Sequence, residues 1–214
     1  MDGTLSMQSQ QTDEWFKARV GKVTASRVGD LLAKTRTGPS ASRAAYMGEL
    51  VAERLTGQPT EKFQSAAMKQ GNELEPQARA AYAFLSGVTV EETGFVPHPR
   101  IDMAGCSPDG LVGDLGLVEI KCPQTHTHIE TLLGADVAKS YRDQMQFQMA
   151  CSGRAWCDFV SFCPVMPAGM DVHIRRVERD NAYIAEMEAE IIRFLAELDA
   201  KLEALRARYG QEAS

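Results

Sequence analysis

The sequence contains no long apolar run. None approaches the roughly 20 residues that a helix needs to cross a bilayer, so a helical membrane protein is not expected. The first residues (MDGTLSMQSQQTDEW) hold acids where a secretory signal has bases, and no apolar stretch follows. The chain is therefore expected to stay in the cytoplasm. Cysteine is scarce: Cys106, Cys122, Cys151, Cys157 and Cys163, with no Cys-x-x-Cys. An odd count without a secretory signal points to reduced thiols rather than a disulfide framework. Basic charge is not in excess either. The net charge is −6 at pH 7 and the pI about 5.3, which as an average speaks against a polyanionic partner. There is no internal repeat, no low-complexity segment, no glycine-rich phosphate loop and no Ser-His-Asp pattern.

The 214 residues are 44% hydrophobic and 24% charged, close to soluble globular averages. That length suits a single domain over 13–214, preceded by a loose polar arm at 1–12. Charge is unevenly spread. Residues 1–45 carry seven bases against four acids, a net of +3, which leaves −9 for the rest. One basic surface on an acidic protein can still meet a polyanion.

The pattern predicts helices first. Asp13 caps a short one carrying Trp15, Phe16 and Val20, and Thr24 or Ser26 opens a second through Leu32. Ser40 or Ser42 opens a third, which Gly57 and Pro59 close. A longer helix is expected over 63–86, with Pro76 starting a new segment or kinking it. Strand signals follow at 88–96, 103–106 and 115–121, separated by turn-forming PDG and GDLG. Helices at 129–133 and 139–150, strands at 156–162 and 170–177, and a long helix capped by Asp180 complete the chain. This order gives an α/β fold with a mixed central sheet flanked by helices.

The chemistry concentrates in Ser107-Pro108-Asp109-Gly110 and Glu119-Ile120-Lys121. Glu119 and Lys121 are two apart on a predicted strand, so they share a face, and Ile120 points into a core. The Gly-Asp-Leu-Gly turn folds Asp109 back beside Glu119. Two close carboxylates repel, and desolvation makes both reluctant to ionise. A hard divalent cation with oxygen ligands and water relieves that conflict, which describes a Mg²⁺ site. Such a metal lowers the pKa of bound water and stabilises charge on a phosphoryl oxygen. Lys121 can then orient the attacking water or steady the phosphate. The bland alternative is a common turn and a solvated strand pair. The surroundings, AGCSPDGL and LVEIKCP, are apolar and small, and charges in such strands need partners.

The chain resembles the lambda exonuclease family, also called YqaJ-type viral recombinases, within the PD-(D/E)xK nuclease superfamily. Five ordered stretches carry the likeness. They are Trp15–Gly21 with Val23–Ser26, Gly71–Glu75 with Ala78-Arg79, Cys106–Leu111, Glu119–Pro123, and Gln144–Gln146. The resemblance implies a restriction-endonuclease-like core and a Mg²⁺-dependent exonuclease, with Mn²⁺ as a substitute. It implies 5′→3′ removal of one strand of linear double-stranded DNA with a 5′-phosphate. The exposed 3′ strand goes to a single-strand annealing protein for recombination in a bacterial host cell. It also implies a ring-shaped homotrimer and no iron–sulfur cluster.

By the same resemblance, Asp109, Glu119 and the Ile120 carbonyl hold metal, and Glu75 adds a second acidic position. Lys121 acts on the nucleophilic water. Arg19, Thr24 and Ser26 lie near the 5′-phosphate, Ser107 donates to a phosphate, and Arg36 touches DNA. Gln144 and Gln146 support the site. Plainer roles remain open for several. Thr24 and Ser26 also suit a helix cap, and Arg19 suits a pair with Glu14 or Asp13. Glu75 suits a solvated helix face, the glutamines suit buried backbone groups, and Trp15 suits the core or an interface. Cys151, Cys157 and Cys163 read as buried thiols, and His126 and His128 are weak evidence for zinc. Two other functions stay open: an endonuclease of the same superfamily, and a catalytically silent DNA-binding recombination subunit.

Overall fold

The computed structural model describes residues 10, 12–36, 38–60 and 65–210. Most of the expected arm, 1–9 and 11, lies outside them. Of its described part, Gln10 donates to the carbonyls of Thr93 and Pro108 at 3.0 and 2.7 Å.

The chain opens with α1 (Asp13–Arg19), β1 (Val23–Thr24), a single 3₁₀ turn (Ala25–Arg27) and α2 (Val28–Leu32). A small hairpin of β2 (Lys34–Thr35) and β3 (Gly38–Pro39) leads to α3 (Ala41–Thr56) and α4 (Ala66–Ser86). Then come β4 (Val90–Glu91), β5 (Val96–Pro97), β6 (Ala104–Cys106), β7 (Gly110–Val112) and β8 (Gly116–Lys121). The chain ends in α5 (Thr125–Leu132), α6 (Lys139–Ser152), β9 (Trp156–Phe162), β10 (Val172–Glu178) and α7 (Asn181–Tyr209). No described helix is long and apolar enough to cross a membrane.

Local chemistry sets most boundaries. Ser40, Ser65 and Asp180 accept backbone N–H groups at the starts of α3, α4 and α7. Gly57, Gly87, Gly153 and Gly210 end four helices in the left-handed conformation. Thr12, not Asp13, caps α1, because its hydroxyl reaches the Trp15 amide at 3.2 Å. The segment after Thr24 is not one helix. Val23 and Thr24 are drawn into a parallel pairing with Ala104 and Gly105, and helix begins only beyond them. Pro76 sits inside α4 without ending it. The carbonyl it leaves unbonded belongs to the exposed Asn72, where water can serve.

The main sheet runs β10-β9-β8-β7-β4. Its β8–β9 pair is parallel and its other pairs antiparallel, so the mixed sheet expected from the sequence is present. β8 divides its side chains cleanly. Val118 and Ile120 enter a core with Ala78 and Tyr82 of α4, whereas Leu117 enters another with Met145 and Met149 of α6. Alternation therefore sends Glu119 and Lys121 to the α6 side. A second small sheet, β1-β6-β5, and helices α2, α3, α6 and α7 enclose the largest core.

Candidate active site

The residues 107–109 leave β6 and enter β7, which returns antiparallel against β8 with Gly110 opposite Val118. This places Asp109 beside the end of β8. Its Oδ2 accepts the Ile120 N–H at 2.7 Å. Glu119 is fully buried, and three donors meet its carboxylate. Lys121 Nζ and Gln144 Nε2 reach Oε1, the latter at 2.6 Å, and Gln148 Nε2 reaches Oε2 at 2.6 Å. A buried charge is tolerable only with such partners. Lys121 also lies 5.0 Å from the centre of the Tyr141 ring.

Glu75 faces this group from α4. Arg79, one turn on, donates to Glu75 and to the Asp109 carbonyl at 2.6 and 3.1 Å. A cavity of about 570 Å³ opens over the group. Glu75, Ser107, Asp109, Glu119, Ile120, Lys121 and Gln144 line it, as do Trp15, Arg19 and Ser26.

The electrostatics follow from the crowding. Burial, then the neighbouring Glu119, hold the Asp109 carboxyl well above its usual range. Burial also raises Glu75; Arg79 opposes this and Glu119 adds to it. Burial alone would depress the Lys121 ammonium. Glu119 and Asp109 more than offset it and hold it above the ordinary lysine value. Burial beside Glu75 and Asp109 pushes the Cys122 thiol up to about 11.

The donor chemistry fits a hard cation, because carboxylates that raise one another's pKa are relieved by positive charge. Among the described residues, no three His, Cys, Asp or Glu side chains close on one point. Glu119 and Glu75 each lean on a cation of the chain itself, Lys121 and Arg79.

A second group forms the wall nearest α1. Ser107 Oγ accepts from Trp15 Nε1 and Arg19 Nη1, each at 2.9 Å, and the Arg19 guanidinium lies 4.1 Å from the Trp15 ring centre. Among the described residues, Arg19 thus partners Ser107 and Trp15 rather than Glu14 or Asp13. With both Ser107 lone pairs filled, its own proton is left to donate elsewhere.

Other expected residues lie elsewhere. Thr24 is buried under Tyr46, whose hydroxyl accepts the Thr24 N–H at 3.1 Å, and it lines a neighbouring cavity. Arg36 is exposed at the β2–β3 turn and is not among the residues lining the cleft. Gln146 points away from the site. It donates to the Glu178 carbonyl at 2.7 Å and accepts the Asp180 N–H at 2.9 Å. Residues two apart on a helix do not face one way, whereas residues four apart do. Hence Gln148, not Gln146, joins Gln144 at Glu119. That spacing on a predicted helix was the available signal for Gln148. Arg79 and Trp15 also enter the site, where no role was expected of them.

The remaining signals resolve simply. Cys151 and Cys157 belong to different cores, and Cys163 is buried. His128 is buried between Ser161 and the Met170 carbonyl, both at 2.8 Å, and His126 is exposed.

The YqaJ-like viral recombinase domain matches residues 14–155. No curated protein matches the chain. Among solved structures, an alkaline exonuclease (LHK-Exo) from Laribacter hongkongensis shares 52% identity, with a TM-score of 0.87 over 93% of this chain and 98% of that one. The same enzyme in complex with dAMP matches at 53% identity and TM-score 0.87, with the same coverage. A phage-related exonuclease from Haemophilus somnus 129PT, at 15% identity, shares the fold, with TM-score 0.72 over 86% of this chain and 96% of that one.

Proposed function

This chain belongs to the YqaJ-like viral recombinase family, the family of lambda exonuclease, and from that premise we propose that it is a Mg²⁺-dependent 5′→3′ exonuclease. It removes one strand of linear duplex DNA from 5′-phosphorylated ends and leaves 3′ single strands for recombination. The observation that carries this reading is the meeting of Asp109, Glu119 and Lys121 at one cleft. LHK-Exo, its relative at 52% identity, is an exonuclease, and its complex with dAMP holds a mononucleotide, the size of product that exonuclease action releases.

Asp109, Glu119 and the Ile120 carbonyl would hold the metal, with Glu75 as a further oxygen ligand and Mn²⁺ as a substitute. The bound cation supplies a more acidic water and a counter-charge for the phosphoryl oxygens. Lys121 steadies charge beside the reacting phosphate. Arg19 and Ser107 hold phosphate oxygens with charge-assisted and neutral hydrogen bonds, and Ser26 at the cleft edge adds a hydroxyl. Thr24 supports this wall from behind through Tyr46, and Arg36 meets DNA outside the cleft. The protein assembles as a homotrimeric ring over 13–214, works in the bacterial cytoplasm, and hands its product to a single-strand annealing protein. Enclosure suits a chain of net charge −6, which holds DNA poorly by charge alone at physiological salt.

The test is digestion of 5′-phosphorylated linear duplex with and without Mg²⁺. Loss of 5′ label first, with closed circular DNA left intact, is the expected result. Cutting of closed circles would make the chain an endonuclease. Release from 3′ ends would reverse the polarity, and no Mg²⁺-dependent cleavage at all would leave a silent binding subunit.

A further inference from the structure

We propose that Gln148 is a positioning residue that sets the orientation of the Glu119 carboxylate for cation binding. The proposal rests on the metal role given to Glu119 above.

Gln148 is fully buried on α6, one turn beyond Gln144. Its Nε2 donates to Glu119 Oε2 at 2.6 Å, while Gln144 Nε2 donates to Oε1 at 2.6 Å. Two amides on successive turns of one helix therefore grip opposite oxygens of one carboxylate. The grip fixes the plane of the carboxylate. Amides are neutral, so they orient Glu119 without cancelling its charge. An arginine in the same place would both orient and neutralise it.

The second observation is a cost. Among the described residues, the buried Gln148 Oε1 has no hydrogen-bond partner. A buried acceptor left without a hydrogen bond destabilises the fold. The neighbours of Gln148 on the same helix, Met145 and Met149, are fully buried and apolar. A methionine here would fill similar space without that burden, so packing alone does not account for the glutamine. Among the described residues, the one hydrogen bond its side chain makes is to Glu119.

The position also resists drift. The Gln148 carbonyl accepts from Ser152 Oγ at 2.8 Å and from the Cys106 thiol at 3.9 Å. Cys106 immediately precedes Ser107, so the backbone at Gln148 is tied to the strand that leads into the site.

The test uses the full chain and Mn²⁺ alone, with free Mn²⁺ read by electron paramagnetic resonance. Gln148→Met is expected to weaken Mn²⁺ binding about tenfold or more, the usual size of an outer-shell loss. Gln148→Asn, one methylene short of Glu119, is expected to weaken it as well. In DNA digestion, raising Mg²⁺ should restore most of the lost rate, as for a residue acting through metal affinity. Asp109→Ala separates the two readings. If Asp109→Ala abolishes Mn²⁺ binding and both Gln148 variants bind like the parent, the positioning role is wrong and the site stands. If Asp109→Ala leaves binding unchanged, the metal site itself is wrong. If neither Gln148 variant folds, the residue is structural and the proposal fails.

Discussion

Asp109 is fastened to Ile120: its Oδ2 accepts the Ile120 N–H at 2.7 Å. The bond joins the residue just before β7 to β8 and lands between Glu119 and Lys121. One carboxylate thus takes its place from the backbone of the strand that supplies the other two groups.

Asp109→Asn keeps an acceptor for that bond and removes the charge. The variant should fold and lose cleavage by about 10²- to 10³-fold or more, the scale for losing a preorganised electrostatic group. Digestion of linear duplex beside a thermal melt checks this. Cleavage at the parent rate would remove Asp109 from the chemistry.

Asp109→Asn should also change stability with pH. Burial and Glu119 raise the Asp109 pKa in the fold. An acid raised in this way resists ionisation in the native state only. Its burden is absent below the unfolded value, grows as pH rises past it, and is complete above the folded value. In chelator, the variant should melt above the parent at neutral pH. The gap should close as the solution is acidified below the ordinary aspartate range. A gap independent of pH would mean that the Asp109 charge is not strained.

Arg19→Lys replaces a planar fork with a point charge. It loses the stack on Trp15 and the bond to Ser107. Discrimination between 5′-phosphate and 5′-hydroxyl ends should fall about tenfold, the value of one charge-assisted hydrogen bond. Comparison of kcat/KM on the two ends measures it, and an unchanged ratio would place the phosphate elsewhere.

Gly105→Ala tests the approach to the site. A Cβ there would meet the Phe95 ring at 2.3 Å and the Val96 carbonyl oxygen at 2.7 Å. The carbonyl belongs to the paired strand β5 and cannot swing aside. The expected cost is about 1–3 kcal/mol of overpacking. Chemical denaturation at fixed m-value reads it directly, and a neutral variant would show that β5 yields.

The core elements were legible because their signals are local. Trp156–Phe162 reads as a strand from its residues alone, and Asp180 announces α7 by capping chemistry. The three-residue strand after Asp109 was not legible, because a Pro-Asp-Gly turn signal covers its start and only pairing with β8 makes it a strand. The same holds for the strand at Val23 and Thr24, which only pairing with β6 defines.

The candidate site divides along the same line. Residue order alone put Glu119 and Lys121 on one face, since a strand alternates with period two. It also brought Asp109 back through a turn. The amides at Glu119, the Arg79 clamp on Glu75 and the Trp15–Arg19–Ser107 wall come from segments 25 to 92 residues apart, or from two helix positions whose common target lies on another element. Spacing along a chain fixes which side chains share a face. Only packing of one face against another fixes what that face meets, and so whether Gln146 or Gln148 reaches the carboxylate.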